Sequence, residues 1–116
     1  MSNIYQKGDI VWVDLGKPPK EIKGHEQGFK RPAIILSDFG ALKLALVAPC
    51  TTKDKKYLAP TSVLVPAGVG GLKEDSMILL HQIRTVSHER ITEKIGTLPE
   101  SIVGKMDTVL ADILDL

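Results

Sequence analysis

The sequence predicts a mainly β protein (β-rich α+β) in which a small antiparallel barrel, or rolled sheet, carries one C-terminal amphipathic helix. Three observations lead to this fold class. Short runs of branched apolar residues recur at close spacing, no βαβ alternation is visible, and the periodicity becomes helical only near the C-terminus. The 116 residues suit a single domain, 1–116, and 43% of them are hydrophobic, enough for one modest core.

The first half of the chain predicts three strands, two of which form a hairpin. An alternating, β-branched stretch from Asp9 to Leu15 is typical of a strand, and a long loop follows it. The run Pro32–Ser37 is continuously apolar, which indicates a strand covered on both faces. DFGA then turns the chain into a third strand that begins at Lys43. The second and third strands are therefore expected to pair in antiparallel fashion.

The second half predicts shorter strands. Thr61–Pro66 has the composition of a short strand, and a glycine-rich loop follows it. The stretch Ser76–Val86 is long for one strand, so we expect a bend or bulge near His81 that divides it into two arms. A last short strand is expected at Thr92–Gly96. The total is five to seven short strands.

The final segment predicts the helix. Thr97 and Glu100 fit a capping box, in which a hydroxyl residue precedes a glutamate by three positions. Apolar residues then recur at steps of one, three or four, which predicts an amphipathic helix that packs against the sheet. The stripe consists of Ile102, Val103, Met106, Val109, Leu110, Ile113 and Leu114.

The charge distribution, the cysteine content and the absence of certain motifs limit the functions that this chain is expected to have. The net charge is only +1, but residues 16–31 hold five Lys or Arg against two Glu, and residues 53–56 read KDKK. A polyanion would be drawn to these two segments. Cys50 is the single cysteine, and no signal-peptide core or membrane-length apolar run is visible, so we expect a cytoplasmic protein with no membrane contact. Metal-ligand spacing, phosphate-binding glycine loops and nucleophile elbows are absent from the sequence, so no metal or cofactor is expected.

One arginine and one threonine form the candidate site. Arg31 precedes Pro32, which favours an extended backbone, and it lies where a charged loop meets an apolar strand. A guanidinium held there offers a planar fork to two oxygens of a phosphate. Thr51 lies at the end of the third strand. If the hairpin forms, the start of the second strand and the end of the third lie side by side, and Arg31 and Thr51 share one edge of the sheet.

The order of motifs resembles a known family. GDIVWVDL is followed by GHEQGFKRPAIILS, VAPCTT, DSMILLHQIRTVSHERITEKIG and an amphipathic helix. This order is similar to that of the MazF/PemK (Kid-like) toxins of type II toxin–antitoxin pairs, over nearly the whole chain. The resemblance implies an SH3-like barrel, a homodimer, a cognate antitoxin and growth inhibition by an mRNA interferase. Such an enzyme cleaves single-stranded RNA in a sequence-specific, metal-independent reaction that leaves 2′,3′-cyclic phosphate and 5′-hydroxyl ends.

The resemblance also implies which residues are catalytic. The catalytic arginine of the family falls on Arg31, and its catalytic hydroxyl residue falls on Thr51. The histidine of the GHEQ loop falls on His25. His81 stands where some members place an acidic residue, and Leu79 stands where some carry an arginine. His81 is a candidate general base and His25 a candidate acid, because histidine titrates close to neutral pH; the alternatives are a plain strand residue and a solvated loop residue.

RNA recognition requires hydrogen bonds to base edges, stacking surfaces and cations along the backbone. Glutamine and arginine side chains can form hydrogen bonds to base edges, Phe29 can stack on a base, and lysines can contact the phosphates. The candidate RNA-binding residues are Gln27, Gly28, Phe29, Lys30, Thr52, Lys53, Gln82 and Arg84.

Two other functions fit a small barrel. One is a non-catalytic toxin that acts on a protein target, as in the gyrase-poisoning CcdB proteins of related fold. The other is a module that only binds RNA or a peptide. The predicted pairing of Arg31 with Thr51 favours the nuclease over both. The recognition sequence, the antitoxin and the identity of the general acid and base do not follow from the sequence.

Overall fold

The computed structural model describes residues 4–16, 30–52 and 60–116. Within these ranges the chain forms seven strands and one α-helix, and every predicted strand is present with small changes at its ends. The bend predicted near His81 is also present. The strands are β1 (Asp9–Asp14), β2 (Lys30–Phe39), β3 (Leu44–Thr51), β4 (Ser62–Val65), β5 (Ser76–Leu79), β6 (Arg84–Ser87) and β7 (Ile91–Thr97), and the helix α1 spans Glu100–Leu114.

The seven strands form one antiparallel sheet in the order β4-β5-β3-β2-β1-β7, and β6 joins it by pairing with β3. β3 has three neighbours. One of its edges pairs with β2, and the other pairs with β6 along residues 44–47 and with β5 at residues 50–51. The sheet does not close on itself, so the predicted barrel is more accurately a rolled, open sheet.

Both faces of β2 are covered, as its continuous apolar run predicts. Ile34 and Leu36 face an apolar cluster that includes α1, whereas Ala33 and Ile35 face a second cluster on the opposite side of the sheet. This alternation is the period of two that every extended strand imposes on its side chains. We call the two groups the helix-side cluster and the far-side cluster. The far-side cluster consists of Val11, Val13, Ala33, Ile35, Ala45, Val47, Val86 and Ile91.

The long apolar stretch after residue 75 is divided by a single turn. β5 ends at Leu79, a 3₁₀ turn spans Leu80–Gln82, and β6 begins at Arg84. Leu80 is fully buried in the helix-side cluster, which holds the turn against the body of the protein. The division lets one stretch of chain pair with two different parts of β3.

Helix α1 packs on the sheet through its predicted stripe. Ile102 and Met106 are buried in the helix-side cluster, whereas Leu114 at the end of the stripe is 52% exposed. The predicted capping box is wrong, because Thr97 is the last residue of β7 and pairs with Asp9 of β1. The N-cap is Pro99, which makes no side-chain capping bond. Pairing with β1 therefore determines the conformation of Thr97, and a local capping motif does not.

Candidate functional site

Arg31 is the second residue of β2, and strand pairing on one side fixes its backbone. Its partner across the ladder is Val13 of β1, a fully buried residue. The guanidinium is partly covered, and burial lowers the pKa of Arg31 from its ordinary value. Arginine nevertheless stays charged at any physiological pH. A partly desolvated, permanent cation is thus held at the start of a rigid strand.

Thr51 ends the neighbouring strand, and the register of the hairpin brings it to Arg31. The pairing of β2 with β3 runs from Phe39 opposite Leu44 to Ala33 opposite Pro49. Carried two residues further, the same register sets Arg31 opposite Thr51, where directly paired Cα atoms of antiparallel strands lie about 4.5–5.5 Å apart. The hairpin predicted from the sequence is confirmed, and its register favours the predicted pair.

Strand alternation also decides which way these two side chains face. Ala33 belongs to the far-side cluster, and Arg31 lies two residues before it on the same strand. Val47 belongs to the same cluster, and Thr51 lies four residues after it. Because side chains repeat every second residue, both Arg31 and Thr51 face the far side. We call this pair the β2–β3 corner.

The residues next to the corner face the other way. Lys30 pairs with Asp14 and is exposed, and Thr52 directly follows β3. Alternation places both on the helix side, where Thr52 lines a shallow groove together with Trp12 and Pro32. The sequence groups these residues with Arg31 and Thr51 as one RNA site, but the two pairs occupy opposite faces of the sheet at the same edge.

Arg84 shares the far side with the corner but lies some distance from it. It pairs with Val47, and Val86 two residues later is in the far-side cluster. Four residues of β3 separate Val47 from Thr51, which corresponds to about 13 Å along the strand. Arg84 is exposed at that distance. Arg84 can therefore reach a phosphate that is bound at Arg31 only if its side chain is fully extended.

His81 and Gln82 lie exposed on the turn between β5 and β6. The turn follows β5, the next strand beyond β3, so two strand spacings, roughly 10 Å, separate the backbones of His81 and Arg31 across the sheet. His81 also comes four residues after Met77, the partner of Thr51, so the total separation is greater than this. The side chains of His81 and Arg31 do not meet across this gap directly, but both could contact a substrate that lies between them. The imidazole contacts a neighbour on the opposite side, because Nδ1 of His81 lies 2.9 Å from Oγ1 of Thr61.

Five candidate residues lie outside the described part of the chain: His25, Gln27, Gly28, Phe29 and Lys53. Their predicted roles as acid and as RNA contacts remain predictions. Within residues 4–16, 30–52 and 60–116, no three His, Cys, Asp or Glu side chains group closely enough to hold a metal ion. In the same ranges, no helix is long and apolar enough to cross a bilayer.

Among the residues that the structure describes is a polar cluster that sequence reasoning missed. His88, which has no role by motif, places Nε2 2.6 Å from Oδ1 of Asp38, and the backbone N–H of Tyr5 donates to Oδ2 of the same carboxylate at 2.9 Å. The rings of Tyr5 and His88 meet edge to face with centroids 5.4 Å apart. His88 and Asp38 are 50 positions apart. No local signal in the sequence connects them, so only the fold reveals the pair.

Burial acts on this cluster as well. It would raise the pKa of Asp38, but the hydrogen bond from Tyr5 and the hydrogen bond and charge of His88 outweigh it, and the net shift is downward. The carboxylate thus stays ionised while almost fully covered. Asp38 lies at the end of β2 opposite to Arg31, so this cluster does not belong to the β2–β3 corner.

Comparison with known proteins agrees with this architecture. A family model described as "PemK-like, MazF-like toxin of type II toxin-antitoxin system" matches residues 6–114. Endoribonuclease EndoA of Bacillus subtilis (strain 168) is 36% identical over 110 residues, which cover 92% of this chain and 91% of EndoA.

Solved structures show the same fold. The crystal structure of MazF (Form-I) from Deinococcus radiodurans superposes with a TM-score of 0.74 and 26% identity, covering 99% of this chain and all of MazF. The MazE-MazF structure (Form-III) from the same organism gives a TM-score of 0.75 at 24% identity, with 97% of this chain and 98% of that one covered.

Proposed function

The chain belongs to the family of PemK-like, MazF-like toxins of type II toxin–antitoxin systems, and on this premise we propose that it is an endoribonuclease that cleaves single-stranded RNA. The observation that carries the proposal is the β2–β3 corner, where strand register and alternation favour Arg31 and Thr51 meeting on one face. EndoA, the relative at 36% identity, is itself named an endoribonuclease. A purely protein-binding toxin of the CcdB type would not need a guanidinium and a hydroxyl paired in this way.

The reaction uses the nucleophile that RNA already carries. The 2′-oxygen attacks the adjacent phosphorus, the P–O5′ bond breaks, and the products are a 2′,3′-cyclic phosphate and a 5′-hydroxyl. Arg31 holds two phosphate oxygens and stabilises the charge that develops on them, a preorganised effect of about 3–4 kcal/mol. The hydroxyl of Thr51 donates a hydrogen bond to the same phosphate and fixes its orientation. No metal is needed when side chains provide these functions.

Proton transfer is assigned to the two candidate histidines. His81 takes the proton of the 2′-hydroxyl, and His25 gives a proton to the departing 5′-oxygen. A side chain that starts more than about 10 Å from Arg31 fits this task only if the scissile nucleotide lies across β3, between the corner and the turn. The RNA therefore crosses the far side of the sheet, from β2 over β3 towards β5 and β6.

The remaining candidates follow from this path. Arg84 and Gln82 contact nucleotides beyond the scissile phosphate, because they lie further along the far side and the turn. Lys30 and Thr52 meet RNA that bends round the edge of the sheet. Gln27, Gly28, Phe29 and Lys53 contact bases and backbone from the segments on either side of the corner.

The toxin family implies a protein partner as well. We place this chain in the cytoplasm as a homodimer. We also propose that a cognate antitoxin inhibits it, because an acidic segment of such a partner would be attracted to the same cations that hold RNA. The exposed apolar side chains of Leu64 (45%) and Leu114 (52%) are of the kind that a second copy would cover. Size-exclusion chromatography with light scattering tests the dimer.

The nuclease is tested with the purified chain and an end-labelled RNA of mixed sequence in EDTA. We expect discrete cuts that end in cyclic phosphate, and a loss of at least about 100-fold in rate for Arg31→Ala. Lys105→Ala is the matched control, since it removes a cation from an exposed position on α1 and should leave the rate unchanged. Circular dichroism checks that both variants fold.

Two results would contradict the proposal. Full activity of Arg31→Ala would remove the guanidinium from the mechanism. Binding of RNA by the wild type with no cuts would instead favour a module that only binds RNA, and absence of both would favour a protein target.

A further inference from the structure

Thr61 contacts the turn that carries His81 at two points. Its backbone carbonyl accepts a hydrogen bond from the N–H of Leu80 at 3.0 Å. Its hydroxyl Oγ1 lies 2.9 Å from Nδ1 of His81. Thr61 is partly buried and directly precedes β4, so it approaches the turn from the side opposite to β3. One residue thus holds both the backbone of the turn and the ring of the histidine.

The base of the turn is equally constrained. Leu80 is fully buried among the residues of the helix-side cluster, where Ile102 and Met106 of α1 pack. The backbone that carries His81 is therefore anchored by packing below and by the Thr61 carbonyl at its side. Of the two ring nitrogens, the contact with Thr61 occupies Nδ1. Nε2, at the opposite edge of the exposed ring, is the atom that can meet a substrate.

We propose that Thr61 is a positioning residue that holds the ring of His81 at its Nδ1 edge, so that Nε2, in the tautomer with hydrogen on Nδ1, faces the substrate and serves as the base. This inference rests on the proposed endoribonuclease function. In the step concerned, Nε2 takes the proton of the 2′-hydroxyl, the 2′-oxygen forms its bond to phosphorus, and the P–O5′ bond breaks. The leaving 5′-oxygen receives its proton from His25 or from water, and the imidazolium later returns its own proton to water.

A hydroxyl is suited to this position for a physical reason. The ring carries hydrogen on Nδ1 both before it accepts the proton, in this tautomer, and afterwards, as imidazolium. Oγ1 of Thr61 accepts from Nδ1–H in both states, so the contact is kept throughout the step and nothing needs to reorient. In the other tautomer, with hydrogen on Nε2, the same hydroxyl can donate to Nδ1 instead. Thr61 therefore fixes the position of the ring in either tautomer, and the base acts from the one with hydrogen on Nδ1.

The test compares substitutions that keep the backbone contact. Thr61→Val removes only the hydroxyl and keeps the shape and the carbonyl, whereas Thr61→Ser keeps a hydroxyl. Thr85→Val is the matched control, because Thr85 is an exposed residue of β6 opposite Leu46 with no assigned role. Single-turnover cleavage gives the chemical rate, and its dependence on RNA concentration separates the rate constant from KM.

The expected results are specific to positioning. Thr61→Val lowers the single-turnover rate roughly fivefold to tenfold, the range that one net hydrogen bond supports, with KM little changed. Thr61→Ser restores most of the rate, and Thr85→Val changes nothing. In a chain that already carries His81→Gln, the Thr61→Val change has no further effect on the rate.

Other outcomes separate this inference from the proposed function. If Thr61→Val matches Thr85→Val in rate, Thr61 does not position the base, while an inactive Arg31→Ala leaves the nuclease standing. If His81→Gln keeps the wild-type rate, both the base and its positioning residue are rejected. If the wild type cuts no RNA, the nuclease itself is rejected, and the inference that rests on it is rejected as well.

Discussion

β2 carries a charge near each of its ends, and burial affects the pKa values of the two groups with different net results. Near its start, Arg31 is partly covered, and that burial lowers the pKa of its guanidinium. Near its end, the side chain of Asp38 is 1% exposed, yet contacts with Tyr5 and His88 outweigh burial and lower the pKa of its carboxyl group. Burial disfavours the charged form at both ends, but at the Asp38 end contacts within the fold more than offset it.

The difference indicates what each end is for. Asp38 joins three separate parts of the chain, since its partners come from the segment before β1 and from the turn after β6. Arg31 lies near the open end of the hairpin, where the strand register favours Thr51 as its neighbour and where an RNA phosphate would interact favourably with its charge. We therefore expect the Asp38 end of β2 to determine the free energy of unfolding and the Arg31 end to determine the rate of cleavage.

The largest expected effect on stability comes from Asp38→Ala. It removes one member of a covered pair and leaves the Tyr5 N–H and the His88 ring without their acceptor, so we expect a loss of about 2–3 kcal/mol in the free energy of unfolding. Urea denaturation at neutral pH measures it. RNA cleavage by the fraction that remains folded should be unchanged.

Asp112→Ala is the matched control for this experiment. Asp112 is an exposed carboxylate on α1, and its removal should change stability by less than about 0.5 kcal/mol. The comparison between the two ends of β2 fails if Asp38→Ala is as stable as this control, or if the folded variant loses cleavage as severely as Arg31→Ala does.

Local patterns in the sequence predicted most of the fold. Period-two alternation identified the strands, the unbroken apolar run of β2 predicted burial on both faces, and excess length predicted the turn at His81. The hairpin then followed from two strands and a short turn, and its register favours Arg31 beside Thr51. Each of these inferences needs only neighbouring residues.

Contacts between distant parts of the chain could not be predicted in this way. The pair of His88 with Asp38 spans 50 positions and that of Thr61 with His81 spans 20, and neither has a motif. The capping box at Thr97 failed because pairing with Asp9 competed with a local signal. Alternation turns Lys30 and Thr52 to the face opposite Arg31 and Thr51, a difference that the sequence motifs do not reveal, and their role in RNA binding stays a prediction.

Thr51→Val should have the next largest effect, a fall in the cleavage rate, and it tests the Arg31 end of β2. The substitution keeps the shape and strand propensity of the side chain and removes its hydrogen bond to the phosphate. We expect the cleavage rate to fall roughly 30-fold, equivalent to about 2 kcal/mol, with the free energy of unfolding nearly unchanged. Single-turnover kinetics and urea denaturation measure the two quantities. A Thr51→Val enzyme with the rate of Thr85→Val would leave Arg31 acting without this hydroxyl.

The smallest effect concerns acid pH and depends on the sign of the shift at Asp38. Because the pKa of Asp38 in the folded protein lies below its ordinary value of 3.8, its contribution to stability is present above that value and is lost as the pH falls through the lower, folded-state pKa. Other carboxylates titrate in the same range, so the informative quantity is the difference in unfolding free energy between wild type and Asp38→Asn. That difference should shrink as the pH falls below about pH 4. Two curves that stay parallel down to about pH 2 would show that the carboxylate charge does not hold this end of β2, and that the hydrogen bonds alone distinguish it from the Arg31 end.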